Sequence, residues 1–206
     1  DCIQLQLITL EDSEDNLCNA ALPHITHFSG LRTLFLDRSD VTDQGMLKLK
    51  PLKNLESISA FMGQVSGSCF KDLGSLTKLT NLNLSSGPVN NSDLRYLSNL
   101  PALKKLAICR SGITPEGVKN LTGCPKLEIL DASRNPKIND SCVKYLQNMK
   151  HLHTLYIFDT SISVAGLEAL KSLKLKCIGT PKSAYSKQEK ASIQAAFPGC
   201  TILWHR

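Results

Sequence analysis

Leucines recur along this chain on a beat of 24 residues, and the first apolar position of the spacing L-x-x-L-x-L falls at Leu7, Leu31, Leu55, Leu79, Leu103, Leu127 and, after one extra residue, Leu152. In the segment Leu79-Thr80-Asn81-Leu82-Asn83-Leu84, Leu82 and Leu84 alternate with polar residues, the period-two signature of a half-buried strand. Val89, Leu94, Leu97 and Leu100 follow at spacings of five, three and three, the inner stripe of a short helix or helical turn. Each unit therefore reads strand, turn, helix, turn. Leu103, Leu106, Ile108, Ile113, Val118, Leu121 and Cys124 fill the same slots in one neighbour, and Leu31, Leu34, Leu36, Val41, Met46, Leu49 and Leu52 in another. A single unit cannot bury its apolar face alone. Stacked units form a continuous core, with parallel strands on a concave side and helices on a convex one.

The beat and its slots resemble the leucine-rich repeat family, over roughly residues 3 to 175. The specific likeness is carried by Val41-Thr42-Asp43-Gln44-Gly45-Met46, Ile113-Thr114-Pro115-Glu116-Gly117-Val118 and Ile138-Asn139-Asp140-Ser141-Cys142-Val143. These are similar to the I-T-D-x-G-L segment of cysteine-containing repeats in F-box partner proteins and of related bacterial arrays. The resemblance implies an α/β fold, a right-handed leucine-rich repeat solenoid of about seven repeats and a cap, with a parallel concave sheet and convex helices. Within the segment, Thr42, Thr114 and Asn139 sit where a helix N-cap would satisfy free amides, and Pro115 suits a first helical position. The motif is therefore structural and does not itself name a function.

The pattern loosens at both ends. Leu5-Gln6-Leu7-Ile8-Thr9-Leu10 supplies a first strand, and Leu17, Leu22, Ile25 and Phe28 match later core slots, but Glu11 to Asp15 breaks the spacing. Leu173 to Ile178 is one residue out of phase. Ser186 to Ala196 then reads as a helix with Ser186 and Glu189 as a capping box, Phe197-Pro198-Gly199-Cys200 stops it, and Thr201 to Trp204 gives a last strand. This ending resembles the closing segment of bacterial leucine-rich repeat arrays. The organisation expected is one domain over 1–206, with a degenerate first repeat (1–30), regular repeats (31–174) and a C-terminal cap (175–206).

No apolar run is long enough for a membrane span, and no basic, apolar leader is present. The chain begins at Asp1, as a processed protein or a fragment would. Its 8 cysteines include no C-x-x-C pair and no Cys/His cluster at zinc spacing. Cys124 occupies a slot that leucine fills elsewhere, so it reads as core; Cys177 and Cys200 are the one plausible disulfide pair. Scattered thiols favour an intracellular, reducing compartment over secretion. The four N-x-S/T sequences at Asn83, Asn90, Asn120 and Asn139 are unremarkable beside the roughly two that composition alone yields, and Asn83 and Asn139 read as ladder and cap residues.

A net charge of +6 changes the picture little, because the lysines at Lys48, Lys50, Lys53, Lys71, Lys78, Lys104, Lys105, Lys119 and Lys126 are dispersed rather than interleaved with aromatics. An acidic protein surface is favoured over nucleic acid as a target. His24, His27, His151, His153 and His205 have no partner at a catalytic spacing, and the nucleophile-elbow, phosphate-loop and zinc-protease motifs are missing. Asp37, Asp131 and Asp159 are the one set of carboxylates that could meet on the sheet. The expectation is a protein without catalysis, cofactor, metal or small-molecule substrate.

Residues two, four, six and seven places after each first leucine should line the concave surface in parallel columns. Aromatics on such columns have no packing reason to be there. Phe35, Phe61 and Met62 form one candidate patch and Tyr156 and Phe158 another, with Asp37 and Arg38 beside the first and Lys105, Arg110, Asp131 and Arg134 between the two. Aromatics with arginine are the composition of interface hot spots. Phe61 or Phe158 could instead fold over the sheet edge and cover core. The function implied is a non-catalytic interaction module or scaffold that holds another polypeptide on its concave face. Two alternatives stand beside it: the substrate-recognition part of an F-box ubiquitin ligase, which requires an upstream helical F-box, and a structural subunit wedged by its convex side into a large assembly.

Overall fold

The structure is a computed structural model describing residues 7–10, 18–181 and 185–204. Among these residues nine three-residue strands form one sheet in sequential order and pair in parallel throughout: β1 (Leu7–Thr9), β2 (Thr33–Phe35), β3 (Ser57–Ser59), β4 (Asn81–Asn83), β5 (Lys105–Ala107), β6 (Ile129–Asp131), β7 (Thr154–Tyr156), β8 (Cys177–Gly179) and β9 (Thr201–Leu203). Parallel neighbours require a crossover between strands. Here a short helical arc supplies it.

The leucine beat is the sheet register. Leu34, Ile58, Leu82, Leu106 and Leu130 pair in succession, then Leu155, Ile178 and Ile202. Each central strand residue points inward, so that Leu34, Leu106, Leu130 and Leu155 lie fully inside a core running the length of the sheet. The first repeat departs from the expected phase. Leu7 pairs with Thr33, not with Leu31, and its side chain is 53% exposed on the open side of the sheet. Ile8 and Leu10 take the inward slots instead, and the Leu10 N–H extends the ladder to the Phe35 carbonyl at 2.8 Å. The alternative spacing L-x-x-I-x-L, starting at Leu5, fits this register; Leu5, Leu17 and Glu11 to Asp15 lie outside the described residues.

On the other side the arcs are short, from Asp43–Met46 and Pro115–Asn120 to the purely 3₁₀ stretches Ser68–Lys71 and Asp93–Asn99. The 3₁₀ choice at 93–99 follows from the apolar spacing, because Leu94, Leu97 and Leu100 recur every third residue and eclipse in a three-residue turn. The expected caps are partly present. Thr42 accepts from the Gly45 N–H (3.4 Å), Asn139 accepts from the Ser141 N–H (3.0 Å), and Pro115 opens its helix. Thr114 holds the N-cap backbone position, but its hydroxyl donates to Asn91 Oδ1 (3.2 Å) instead of capping. Its helix is capped from the neighbouring repeat.

That cap accounts for the motif glycine. Asn19, Asn91 and Asp140 each reach the following repeat, where Oδ1 accepts the N–H of Thr42 (3.2 Å), Thr114 (2.9 Å) and Ser163 (2.8 Å). A Cβ on Gly45, Gly117 or Gly166 would stand 2.0, 2.3 or 2.1 Å from the same oxygens. Asp43 plays the capping part with both oxygens, accepting from Ser66 (2.9 Å), Gly67 (3.1 Å) and Cys69 (3.0 Å). Burial raises the Asp43 pKa, but the amides of Cys69 and Ser66 outweigh it and hold the carboxyl below its ordinary value.

At the C-terminal end the helix Lys187–Ala196 carries the capping box of Ser186 and Glu189, buries Ile193 against the core and leads into β9. Cys69, Cys109, Cys124, Cys142, Cys177 and Cys200 are free thiols; Cys69, Cys124 and Cys142 are buried core. Burial pushes the Cys124 thiol up to about 12.

Candidate binding face

Past the ends of β2 to β7 the backbone turns away through a residue in the left-handed region. Arg38, Met62, Ser86, Arg110, Arg134 and Asp159 all have φ between 52° and 60°. The turn keeps the ladder going: the N–H of Arg38, Met62, Ser86, Arg110 and Arg134 donates to Phe61, Ser85, Cys109, Ser133 and Phe158 of the next repeat at 2.6–2.9 Å. A left-handed backbone costs a residue bearing a Cβ about 1–2 kcal/mol. These six positions nevertheless carry side chains, three of them arginine, which form a rim along one edge of the open sheet face.

One place after each rim residue, the chain needs a polar residue to turn back into the core. Asn135 does this with no exposure at all: Oδ1 accepts from Ser111 (3.1 Å) and Ile113 (2.9 Å), and Nδ2 donates to the carbonyls of Ile108 (2.9 Å), Ala132 (2.9 Å) and Ser133 (3.1 Å). Ser39, in the same slot, is buried with its hydroxyl on the Leu36 carbonyl (2.7 Å).

The face itself is not flat. Ser57, Ser59, Asn81, Asn83 and Ala107 are small, and they leave a trough of about 340 Å³ above Ile58, Leu82 and Leu106, closed by Phe35 on one side and by Ile129 and Asp131 on the other, with Lys105 on its lining. Neither the trough nor its small residues stood out in the sequence, where attention falls on large side chains. A column of small residues between aromatic ones was the available signal.

The nominated residues separate into two groups. Phe35 and Phe61 are half-buried and Met62 is 49% exposed, so this patch stands open next to the trough. Tyr156 and Phe158 stack with ring centroids 6.2 Å apart and 12° between planes. Phe158 lies across the next strand, where a Cβ on Gly179 would come within 2.5 Å of its ring. It fills the space a side chain on β8 would take, on the face of the sheet and not over its edge against the core. Burial, then the neighbouring Cys177 thiol, pushes the Tyr156 phenol up.

The charges separate as well. Asp37 accepts from Ser59 Oγ (2.5 Å) and the Phe61 N–H (2.9 Å), and Asp131 accepts from the Ser133 N–H (3.0 Å), as Asn83 does from Ser85 (3.0 Å). Arg134 Nε lies 3.8 Å from Asp159 Oδ2. Arg38, Lys105 and Arg110 are exposed and form no ion pair among the described residues. The acidic residues of the face are thus turned to the protein's own backbone, or to Arg134, while three cations face outward. Asp37, Asp131 and Asp159 do not gather: β2 and β6 are four strands apart, roughly 19 Å at strand spacing. Among the described residues no three His, Cys, Asp or Glu side chains are grouped to hold a metal ion, and no helix is long and apolar enough to cross a membrane.

No protein-family model and no curated protein sequence matches the chain. Among solved structures 344 chains match, including an internalin, InlF, from Listeria monocytogenes str. 4b F2365, with a TM-score of 0.67 and 20% identity over 89% of this chain. The present chain spans about half the length of that internalin, 50%. The fold is a leucine-rich repeat solenoid of the α/β class.

Proposed function

We propose that the chain is a non-catalytic interaction module that holds a partner polypeptide on the open, concave face of its sheet. The observation that carries this reading is the trough between Phe35 and Ile129, flanked by the exposed Met62 and by unpaired Lys105 and Arg110. A surface that joins apolar side chains, arginine and a concavity has the make-up of a protein interface centre. The likeness to an internalin fold supports a repeat scaffold and leaves the partner to be found.

The test begins with partners captured on the whole chain and identified by mass spectrometry. Phe61→Ala and Arg110→Ala are then compared with Lys48→Ala and Lys119→Ala, both exposed on the helical side, with melting temperatures checked throughout. Loss of about tenfold or more in affinity is expected for the first pair and little change for the second. The reverse pattern places the contact on the helical side and makes the chain a wedge in a larger assembly.

A further inference from the structure

Resting on the open sheet face as the partner surface, we infer that its occupant is an extended acidic segment of another protein, in which one apolar side chain is flanked on both sides by carboxylates. Three observations fix this chemistry. First, Ala107 lines the trough, and its small side chain leaves room there for an apolar group from outside. Second, the repeat that holds Ala107 presents Lys105 before it and Arg110 after it, five residues apart and so at most roughly 17 Å along the strand direction. One extended segment spans that distance. Third, the carboxylates nearest the trough do not compete for these cations, since Asp37 is bonded to Ser59 and Phe61, and Asp131 to Ser133.

The left-handed rim supports the assignment of Arg110. Its φ is 53°, a conformation glycine adopts without strain, and the guanidinium that stands there has no acceptor among the described residues. A long charged side chain on strained backbone, unpaired and at the edge of a concavity, gives the fold nothing and a ligand a great deal. Arg134, one repeat on, differs because Asp159 already faces it. Lys105 and Arg110 disfavour a basic group at these two points, and phosphate alone would leave the apolar trough empty.

The experiment pans a displayed library of random linear peptides against the whole chain. Enriched sequences should carry an aromatic or aliphatic residue with Asp or Glu on each side. Their affinity should fall about tenfold or more with Lys105→Glu, with Arg110→Glu and with Ala107→Leu, which fills the trough, and by less than about threefold with Arg134→Glu. Both lysine and arginine are exposed, and unchanged melting temperatures show that the variants remain folded. Peptides without flanking acids that still lose binding with Ala107→Leu overturn the acidic segment and leave the open face as the partner surface. Enriched peptides that bind regardless of Ala107→Leu and Phe61→Ala overturn both readings. A library yielding no binder overturns the extended segment, while partners captured in the preceding test report separately on the face.

Discussion

The two sides of this solenoid are held together by different means. On the sheet side every junction is alike: an inward aliphatic residue of one strand pairs with that of the next, from Leu34 to Ile202. On the helical side the junctions differ. Asn19, Asn91 and Asp140 tie three of them by a side-chain oxygen set against a glycine, and Asp43 ties another with both carboxylate oxygens. Where the capping slot holds Gly67 or Pro115, no side chain reaches the next repeat's helix from that slot. The sheet side depends on volume, and its outward positions vary from Ser57 and Lys105 to Ile129, Gly179 under Phe158 being the place where a side chain would not fit. The helical side depends on single polar atoms, and small changes there have local consequences.

The sharpest way to break this contrast is Leu106→Ala. Leu106 is buried between β4 and β6, so the loss of contact plus the cavity should cost about 2–5 kcal/mol in denaturant unfolding. A loss under about 1 kcal/mol would mean that the sheet side is not the volume-limited one.

Gly117→Ala probes the helical side. Alanine favours a helix, yet its Cβ would push Asn91 from the Thr114 N–H, and the net cost should be about 1–2 kcal/mol. In an Asn91→Ala background the same change should cost less, because the obstructing oxygen is gone and the Ile113 methyl at 2.9 Å is the close contact that remains. Equal costs in both backgrounds would sever the glycine from the cap.

Asp43→Ala should cost about 1 kcal/mol through the lost caps at Ser66 and Cys69. Since the folded pKa lies below the ordinary 3.8, this contribution is fully present above that value and is lost as pH falls through the lowered folded pKa. Unfolding curves of the native chain and the variant should therefore differ at neutral pH and converge in strong acid. A difference that grows on acidification would contradict the charge-based cap.

On the open face, effects on stability should be small and some should be favourable. Arg110→Gly relieves left-handed strain but loosens the unfolded chain, leaving a gain of up to about 1 kcal/mol while removing the proposed anchor. Lys105→Ala, exposed on the strand that buries Leu106, should shift stability by less than about 0.5 kcal/mol. Thermal melts of these two beside Leu106→Ala separate what the fold needs from what the face offers.

Much of the architecture was legible because burial repeats on the strand period. Leu82, Leu106 and Leu130 announce themselves by spacing alone, and Ser186 with Glu189 announces the last helix. The 24-residue beat counted back from Leu31 lands on Leu7, whereas the local spacing Leu5, Ile8, Leu10 starts two residues earlier, and pairing with β2 decides for the latter. For the face, the sequence located the columns and their aromatics but not their availability. Phe35 and Phe158 look equivalent as letters, yet one borders a trough and the other lies on a glycine of the following strand. Arg110 and Arg134 occupy the same slot, yet only one has a carboxylate beside it. The sequence by itself determined the repeat, the parallel sheet and which residues point out, because apolar burial follows a local period. The tertiary structure decided which outward groups are free, because each hydrogen-bond and packing partner comes from a repeat about 24 residues away, and its reach depends on the stacked backbone rather than on its neighbours in the chain.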